Sequence, residues 1–192
     1  MTTWWWVRHA PTDEKAFVGW RDVAANLSDT GLVDRLCAYL PDDGVIVSSD
    51  LRRAAATADA IEVGRERLAN AAELREFNFG DWDGLTFAQV AARHPDLSRA
   101  YWEAPGDAAP PNGESWNDVA ARVAPFVDAM NARFSGRNII AVAHIGVIMT
   151  QIQRAGNLSA TKAMAHKIGN LSVTRLHWQG DGWRIGVINH VP

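Results

Sequence analysis

Two arginines and two histidines stand just beyond short apolar runs at widely separated places in the chain. Arg8 and His9 follow Thr3 to Val7, Arg53 follows Val45-Ile46-Val47, and His144 follows Asn138 to Ala143. Phosphoryl transfer asks for such residue types: a nucleophile or positioned water, cationic donors on the equatorial oxygens, and a proton for the departing alkoxide. A guanidinium presents a planar fork of donors that fits phosphate oxygens, which suits Arg8 and Arg53 to hold the group while its charge redistributes. An imidazole has an unperturbed pKa of about 6.5 and neighbouring guanidinium charges favour its neutral form, so either histidine can offer a nitrogen lone pair near neutral pH. The proton would come from a carboxyl group. Glu73 and Glu76 both sit in the aromatic-rich segment AELREFNFGDWDG, and spacing does not choose between them.

The elements that must position these groups repeat one pattern. Thr3 to Val7 reads as a strand that stops at Arg8-His9-Ala10-Pro11, where Pro11 forbids simple continuation. Ser28-Asp29-Thr30-Gly31 offers N-cap side chains ahead of Leu32, Leu36 and Leu40, one face of a helix ended by Pro41. Val45-Ile46-Val47 is a β-branched strand, with Ser49-Asp50 as corner and cap before an alanine-rich helix over Arg53 to Glu62. Asn138 to Ala143 is a third buried strand, followed by His144-Ile145-Gly146 and a further helical pattern. Leu85 to Ala92 is read as helix, Glu103 to Gly113 as a proline- and glycine-rich loop, and Ser115 as the cap of a helix through Val119, Val123 and Val127. Leu171 to Trp178 and Trp183 to Ile188 flank Gln179-Gly180-Asp181-Gly182, a hairpin signal. The alternation predicts an α/β three-layer sandwich with a mainly parallel central sheet flanked by helices. In such sheets ligands sit outside the carboxyl ends of the strands, where Arg8, His9, Arg53 and His144 all fall.

Composition sets bounds on what the chain binds. With 192 residues, 47% of them hydrophobic, it can fill one sizeable core, and a single domain over 1–192 is expected. A formal net charge of -3 with interspersed signs gives no basic stripe for nucleic acid. No apolar run approaches the roughly 18–20 residues of a membrane span, and the first residues lack a signal peptide's basic region and cleavage site, so a cytoplasmic setting is expected. Cys37 is the only cysteine and suits a small buried position. His94, His166, His177 and His190 have no partners at metal-ligand spacing, so no metal site is expected and their roles read as surface or capping. Arg52, Arg65, Arg67 and Arg75 read as solvent-facing charges, and Asp81 and Asp83 as turn residues. The run Trp4-Trp5-Trp6 fits packing on both faces of a buried central strand, with an aromatic wall beside the site as the alternative.

Taken together, the motifs resemble the histidine phosphatase superfamily, also called the phosphoglycerate mutase-like family, almost end to end. Val7-Arg8-His9-Ala10-Pro11-Thr12 is similar to its Arg-His-Gly signature, in which the histidine is phosphorylated and the arginine binds phosphate; the resemblance thereby implies His9 as nucleophile. Gly19-Trp20-Arg21-Asp22 with Leu27-Ser28-Asp29-Thr30-Gly31 resembles the next block. Ser48-Ser49-Asp50-Leu51-Arg52-Arg53-Ala54 resembles the second-arginine motif, implying Arg53 and not Arg52 as the pocket residue. Leu74-Arg75-Glu76 through Gly84 resembles the acidic segment, implying Glu76 as proton donor. Gly113-Glu114-Ser115 resembles a block of the phosphatase branches, with Glu114 read either as orienting a catalytic group or as purely structural. Val142-Ala143-His144-Ile145-Gly146 resembles the second-histidine motif, implying that His144 contacts the phosphoryl group. Two positions depart from the pattern: Ala10 replaces the usual glycine, and Lys15 stands where many members carry a phosphate-touching asparagine. Thr12 and Lys15 are accordingly candidate substrate-binding residues.

The resemblance implies a metal-independent phosphomonoesterase, with no cofactor, acting on a small phosphorylated metabolite. The competing readings are a mutase that returns phosphate to a second hydroxyl, and a phosphate-binding module without chemistry. No nucleic-acid or membrane partner is expected, and the oligomeric state, monomer or homodimer, is left open.

Overall fold

The computed structural model describes residues 1–192. Six strands form one sheet in the order β3-β2-β4-β1-β5-β6. They are β1 (Thr2–Arg8), β2 (Val45–Ser48), β3 (Glu66–Arg67), β4 (Asn138–Ala143), β5 (Val173–Trp178) and β6 (Trp183–His190). The pairs β1 with β4, β4 with β2 and β2 with β3 are parallel, whereas β5 runs antiparallel to both β1 and β6. The helices are α1 (Thr30–Tyr39), α2 (Arg52–Ala60), α3 (Phe87–Arg93), α4 (Pro95–Glu103), α5 (Trp116–Arg133), α6 (Ile145–Gly156) and α7 (Ala160–Met164). The expected α/β sandwich with a mainly parallel sheet is the fold observed.

Strand alternation assigns each face its own core. On β1, Trp4 and Trp6 belong to the larger apolar cluster, with Val45, Val47, Ile139 and Ala141 from the neighbouring strands and Val119, Val123 and Ile148 from α5 and α6. Val7, Ile46, Ile140 and Val142 face the other way, onto Leu36 of α1 and Ala54 and Ala58 of α2, with Trp5 packed against that cluster. Both faces are covered, which is why the strands read as continuous apolar runs. Trp4 and Trp6 stack at 4.9 Å, and the Trp4 and Trp5 indoles donate to Asn131 and Asn138. The tryptophan run is therefore core packing and not a wall of the site.

Several local readings change. The helix α2 begins at Arg52 and its N-cap, Leu51, has no side-chain hydrogen bond. Ser49 instead accepts from the Leu51 N–H, and Asp50 pairs with Arg75. Ser115 caps α5 as expected, in a reciprocal box with Asp118. The helix expected over Leu85 to Ala92 is α3, capped by Thr86, and a further helix that the sequence reading did not assign, α4, follows it with Pro95 in its first turn. Arg65 is buried, not solvent-facing: its guanidinium donates to the carbonyls of Cys37, Leu40, Pro41 and Ile61, closing the end of α1 against the end of α2. Cys37 is only half-buried, because it lies at that junction and not on the inner face of α1. His177 is buried in the sheet, its Nδ1 3.1 Å from the Thr3 hydroxyl, instead of lying on the surface.

Candidate active site

The strand order β2-β4-β1 sets three carboxyl ends side by side, and the ladder continues one residue past each. The His9 N–H donates to the Ala143 carbonyl at 3.0 Å and the Ser49 N–H to the Val142 carbonyl at 2.9 Å. His9 and, from the start of α2, Arg53 thus emerge into one crevice, as the general rule for open α/β sheets requires, while His144 lies fully buried at the same edge and is not part of the cavity lining. A cavity of about 350 Å³ opens there; Arg8, His9, Thr12, Arg53 and Glu76 all line it.

His9 is 6% exposed. Its Nδ1 lies 2.6 Å from the Ala10 carbonyl oxygen. That oxygen can only accept, so Nδ1 carries a proton and Nε2 of the neutral ring keeps its lone pair. Burial, then Arg53 and to a smaller extent Arg8, push the imidazolium pKa down to about 3, against the hydrogen bond to the Ala10 carbonyl, which raises it. The loop is fixed from two sides: the Ala10 N–H donates to the Thr57 hydroxyl at 2.9 Å, and Asn170 donates to the His9 carbonyl at 2.8 Å. The Ala10 methyl is itself buried in the core beneath α1 and α2. His144 lies with its ring centre 5.0 Å from that of His9, fully buried, and neither of its ring nitrogens has a hydrogen-bond partner. Burial, followed by His9, Arg53 and Arg8, holds it well below the ordinary histidine range, so it too is neutral.

Arg53 is 1% exposed, and its guanidinium is aimed by three carbonyls, those of Val18, Gly19 and Arg21. Asp83 shapes that loop by accepting from the Gly19 and Arg21 N–H groups and from the Arg21 side chain, so it is more than the turn residue its surroundings suggest. Arg8 donates to the Ile168 carbonyl at 2.6 Å. Burial lowers the pKa of both guanidinium groups and Glu76 opposes that shift.

Glu76 is buried beside the N-terminus of α6, where its carboxylate accepts from the Phe77 N–H at 2.9 Å and the Gly146 N–H at 3.2 Å. A side chain at Gly146 would put a Cβ 2.3 Å from the Phe77 ring and 2.5 Å from Glu76 Oε1, so this approach requires glycine. Burial raises the Glu76 pKa above the usual carboxylate range, opposed by those two backbone bonds and by Arg53 and Arg8. Glu73, the other candidate, is exposed and does not line the cavity. Lys15 is also solvent-exposed and is not brought to the cavity; its neighbours Glu14 and Ala16 face it instead.

Sequence reasoning passed over Arg122. Its guanidinium donates to the carbonyls of Glu73, Arg75 and Glu76 and forms a forked pair with Glu114 at 2.8 and 2.9 Å. Glu114 in turn accepts from the Asn78 N–H. The two side chains clamp the segment on either side of Glu76, which resolves the open reading of Glu114 as a residue that orients this segment. No local signal marks the pair: Glu114 lies outside α5, ahead of the extended Ser115 cap, so helical spacing does not place it beside Arg122. Among the other tryptophans, Trp102 and Trp116 line the cavity, Trp82 is core, and Trp20 donates to the Glu76 carbonyl at 2.8 Å.

A mainly parallel α/β sheet thus gathers two neutral histidines, two guanidinium groups and a buried carboxyl group at its carboxyl edge. Residues 4–191 match the histidine phosphatase superfamily (branch 1), and the chain belongs to that family. A bifunctional protein of Mycobacterium tuberculosis is 32% identical over 176 residues, 85% of this chain, and the chain spans 43% of that relative's length. Glucosyl-3-phosphoglycerate phosphatase of Mycobacterium tuberculosis is 34% identical over 164 residues, 72% of each chain. The structure of a mycobacterial glucosyl-3-phosphoglycerate phosphatase in complex with VO3 superposes with a TM-score of 0.86 at 32% identity, covering 97% of this chain and 98% of that one.

Proposed function

We propose that the chain hydrolyses phosphomonoesters, without a metal, through a phosphohistidine formed on His9. The observation that carries this reading is the state of His9: a neutral ring with Nδ1 tied to the Ala10 carbonyl and Nε2 free, beside two guanidinium groups and a protonatable carboxyl group. Arg8 and Arg53 bind the phosphoryl oxygens, and a neutral His144 donates to one of them, satisfying a ring that otherwise has no partner. His9 Nε2 attacks phosphorus, the ester P–O bond breaks, and the carboxyl proton of Glu76 passes to the departing oxygen. Water then attacks the phosphorus of the phosphohistidine, Glu76 takes the proton released, the N–P bond breaks, and phosphate leaves. Thr12 lines the same cavity. The binding-module reading finds no support in a site that keeps nucleophile, acid and both cations.

The test is to quench the enzyme during turnover of a labelled aryl phosphate in the presence of a chelator. Label bound to His9, stable in alkali and lost in acid, is the expected result; turnover abolished by the chelator, or label on no residue, would sink the proposal.

Arg122 acts through Glu76 as a positioning residue. Arg122→Met is expected to slow alkyl phosphates, whose leaving group needs the proton, on the order of 10- to 100-fold. On kcat/KM for 4-nitrophenyl phosphate, which reports the first step alone and whose leaving group needs no proton, the effect is expected to be several-fold at most. An equal loss on both substrates would assign Arg122 to structure alone.

A further inference from the structure

The wall beyond the phosphoryl groups has a distinct chemistry. It is built from Phe17, Phe79, Trp102, Trp116 and Met149. Phe17 lies between Phe79, at 5.2 Å, and Trp102, at 5.7 Å and nearly parallel, so the three rings make one broad apolar surface. Phe87 carries it outward, 6.3 Å from Trp102 and 58% exposed. The charges tell the other half. The cations that line the cavity are Arg8 and Arg53, both committed to phosphate in the proposed reaction, and the remaining charged lining groups, Glu14 and Glu76, are acidic. Arg21, a further cation on the same loop, is occupied by Glu14 at 3.1 Å and Asp83 at 3.0 Å, and Lys15 does not face the cavity.

We infer that the alcohol released by this site is uncharged and largely apolar, of the size and flatness of an aromatic ring, and is not a hydroxy acid; this rests on the reading of the chain as a His9 phosphohydrolase. An apolar leaving group gains by removal from water against Phe17, Phe79 and Trp102 in proportion to the area covered. A carboxylate in the same place would be desolvated with no free cation to pair it. The same shortage of a free cation argues against mutase action on a phosphoglycerate, since that substrate must hold its carboxylate while the phosphoryl group leaves and returns.

The experiment compares kcat/KM of the wild-type enzyme for 2-phenylethyl phosphate, glycerol 3-phosphate and 3-phosphoglycerate, all alkyl esters, so that leaving-group acidity does not decide the order. We expect 2-phenylethyl phosphate to exceed glycerol 3-phosphate at least tenfold and 3-phosphoglycerate to be the slowest. Trp102→Ala is expected to lower kcat/KM for 2-phenylethyl phosphate about tenfold and to narrow its lead. Preference for 3-phosphoglycerate or glycerol 3-phosphate, while 4-nitrophenyl phosphate is turned over through His9, overturns the inference and leaves the hydrolase reading standing. Failure to turn over 4-nitrophenyl phosphate as well overturns both.

Discussion

Replacing His9 by alanine is expected to lower kcat/KM for 4-nitrophenyl phosphate on the order of 10⁴-fold or more while leaving the protein folded. The loss is large because no other group can take over. His144 is a neutral imidazole too, but its ring is fully buried against that of His9 and in the proposed reaction donates to a phosphoryl oxygen, so it does not take over the attack. With an activated aryl leaving group, Glu76 as acid contributes little, and what remains in His9→Ala is binding by Arg8 and Arg53 without a nucleophile. Retention of more than a tenth of the wild-type rate would transfer the attack to water or to another residue. Thermal unfolding of the same variant separates lost chemistry from lost fold. Its pH dependence has a definite sign. In the folded protein His9 titrates at about 3, below its ordinary 6.5, so between these values the unfolded chain binds the proton more tightly. That group's contribution is neutral above the unfolded value and becomes unfavourable as pH falls from 6.5 toward 3, at up to about 1.4 kcal/mol per pH unit. The variant should therefore lose less stability than the wild type on acidification through this window.

How much of this was legible without coordinates depends on how local the cause is. The three strand ends could be read because each is an apolar run cut off by a polar corner, and the rule placing ligands at carboxyl ends then joined Arg8, His9, Arg53 and His144 across more than a hundred residues. Residues whose role depends on a partner from a distant element could not be found that way. Arg65 looked like any surface arginine until the ends of α1 and α2 met around it and offered four carbonyls. Asp83 looked like a turn residue because its partners, Gly19 and Arg21, lie more than sixty positions away. Lys15 fails for a related reason: position relative to His9 says nothing about which way an irregular loop turns its side chains, and here Glu14 and Ala16 take the inward places. The choice of Glu76 over Glu73 came from the resemblance, and its physical basis is tertiary. Gly146, seventy residues on, supplies both the N–H that holds the carboxylate and the space it occupies.

Glu76→Gln isolates the acid and base roles, because the amide oxygen can keep both backbone hydrogen bonds, from Phe77 and from Gly146, while the proton is lost. With 2-phenylethyl phosphate, where the leaving alkoxide needs a proton, kcat/KM is expected to fall on the order of 10²- to 10⁴-fold. With 4-nitrophenyl phosphate the first step is expected to survive and the second to slow, since water attacking the phosphohistidine has lost its base. The predicted record is a rapid burst of nitrophenol equal to the enzyme concentration, followed by slow turnover, with phosphate accumulating on His9. The pH profile follows from burial. Burial raises the Glu76 pKa, so its acid form persists above the usual carboxylate range, and the wild-type rate on alkyl phosphates should fall as pH rises through that raised value. Glutamine has no such titration and should abolish this limb. The same shift acts on stability: a raised folded-state pKa contributes stability that is complete below the unfolded value of about 4.5 and is lost as pH rises through the folded one. Glu76→Gln should therefore be stabilised relative to the wild type near neutral pH even as it loses activity. A variant that slows both substrates equally, shows no burst and keeps the wild-type pH profile would remove Glu76 from the chemistry and return the question of the proton donor to the rest of the cavity wall.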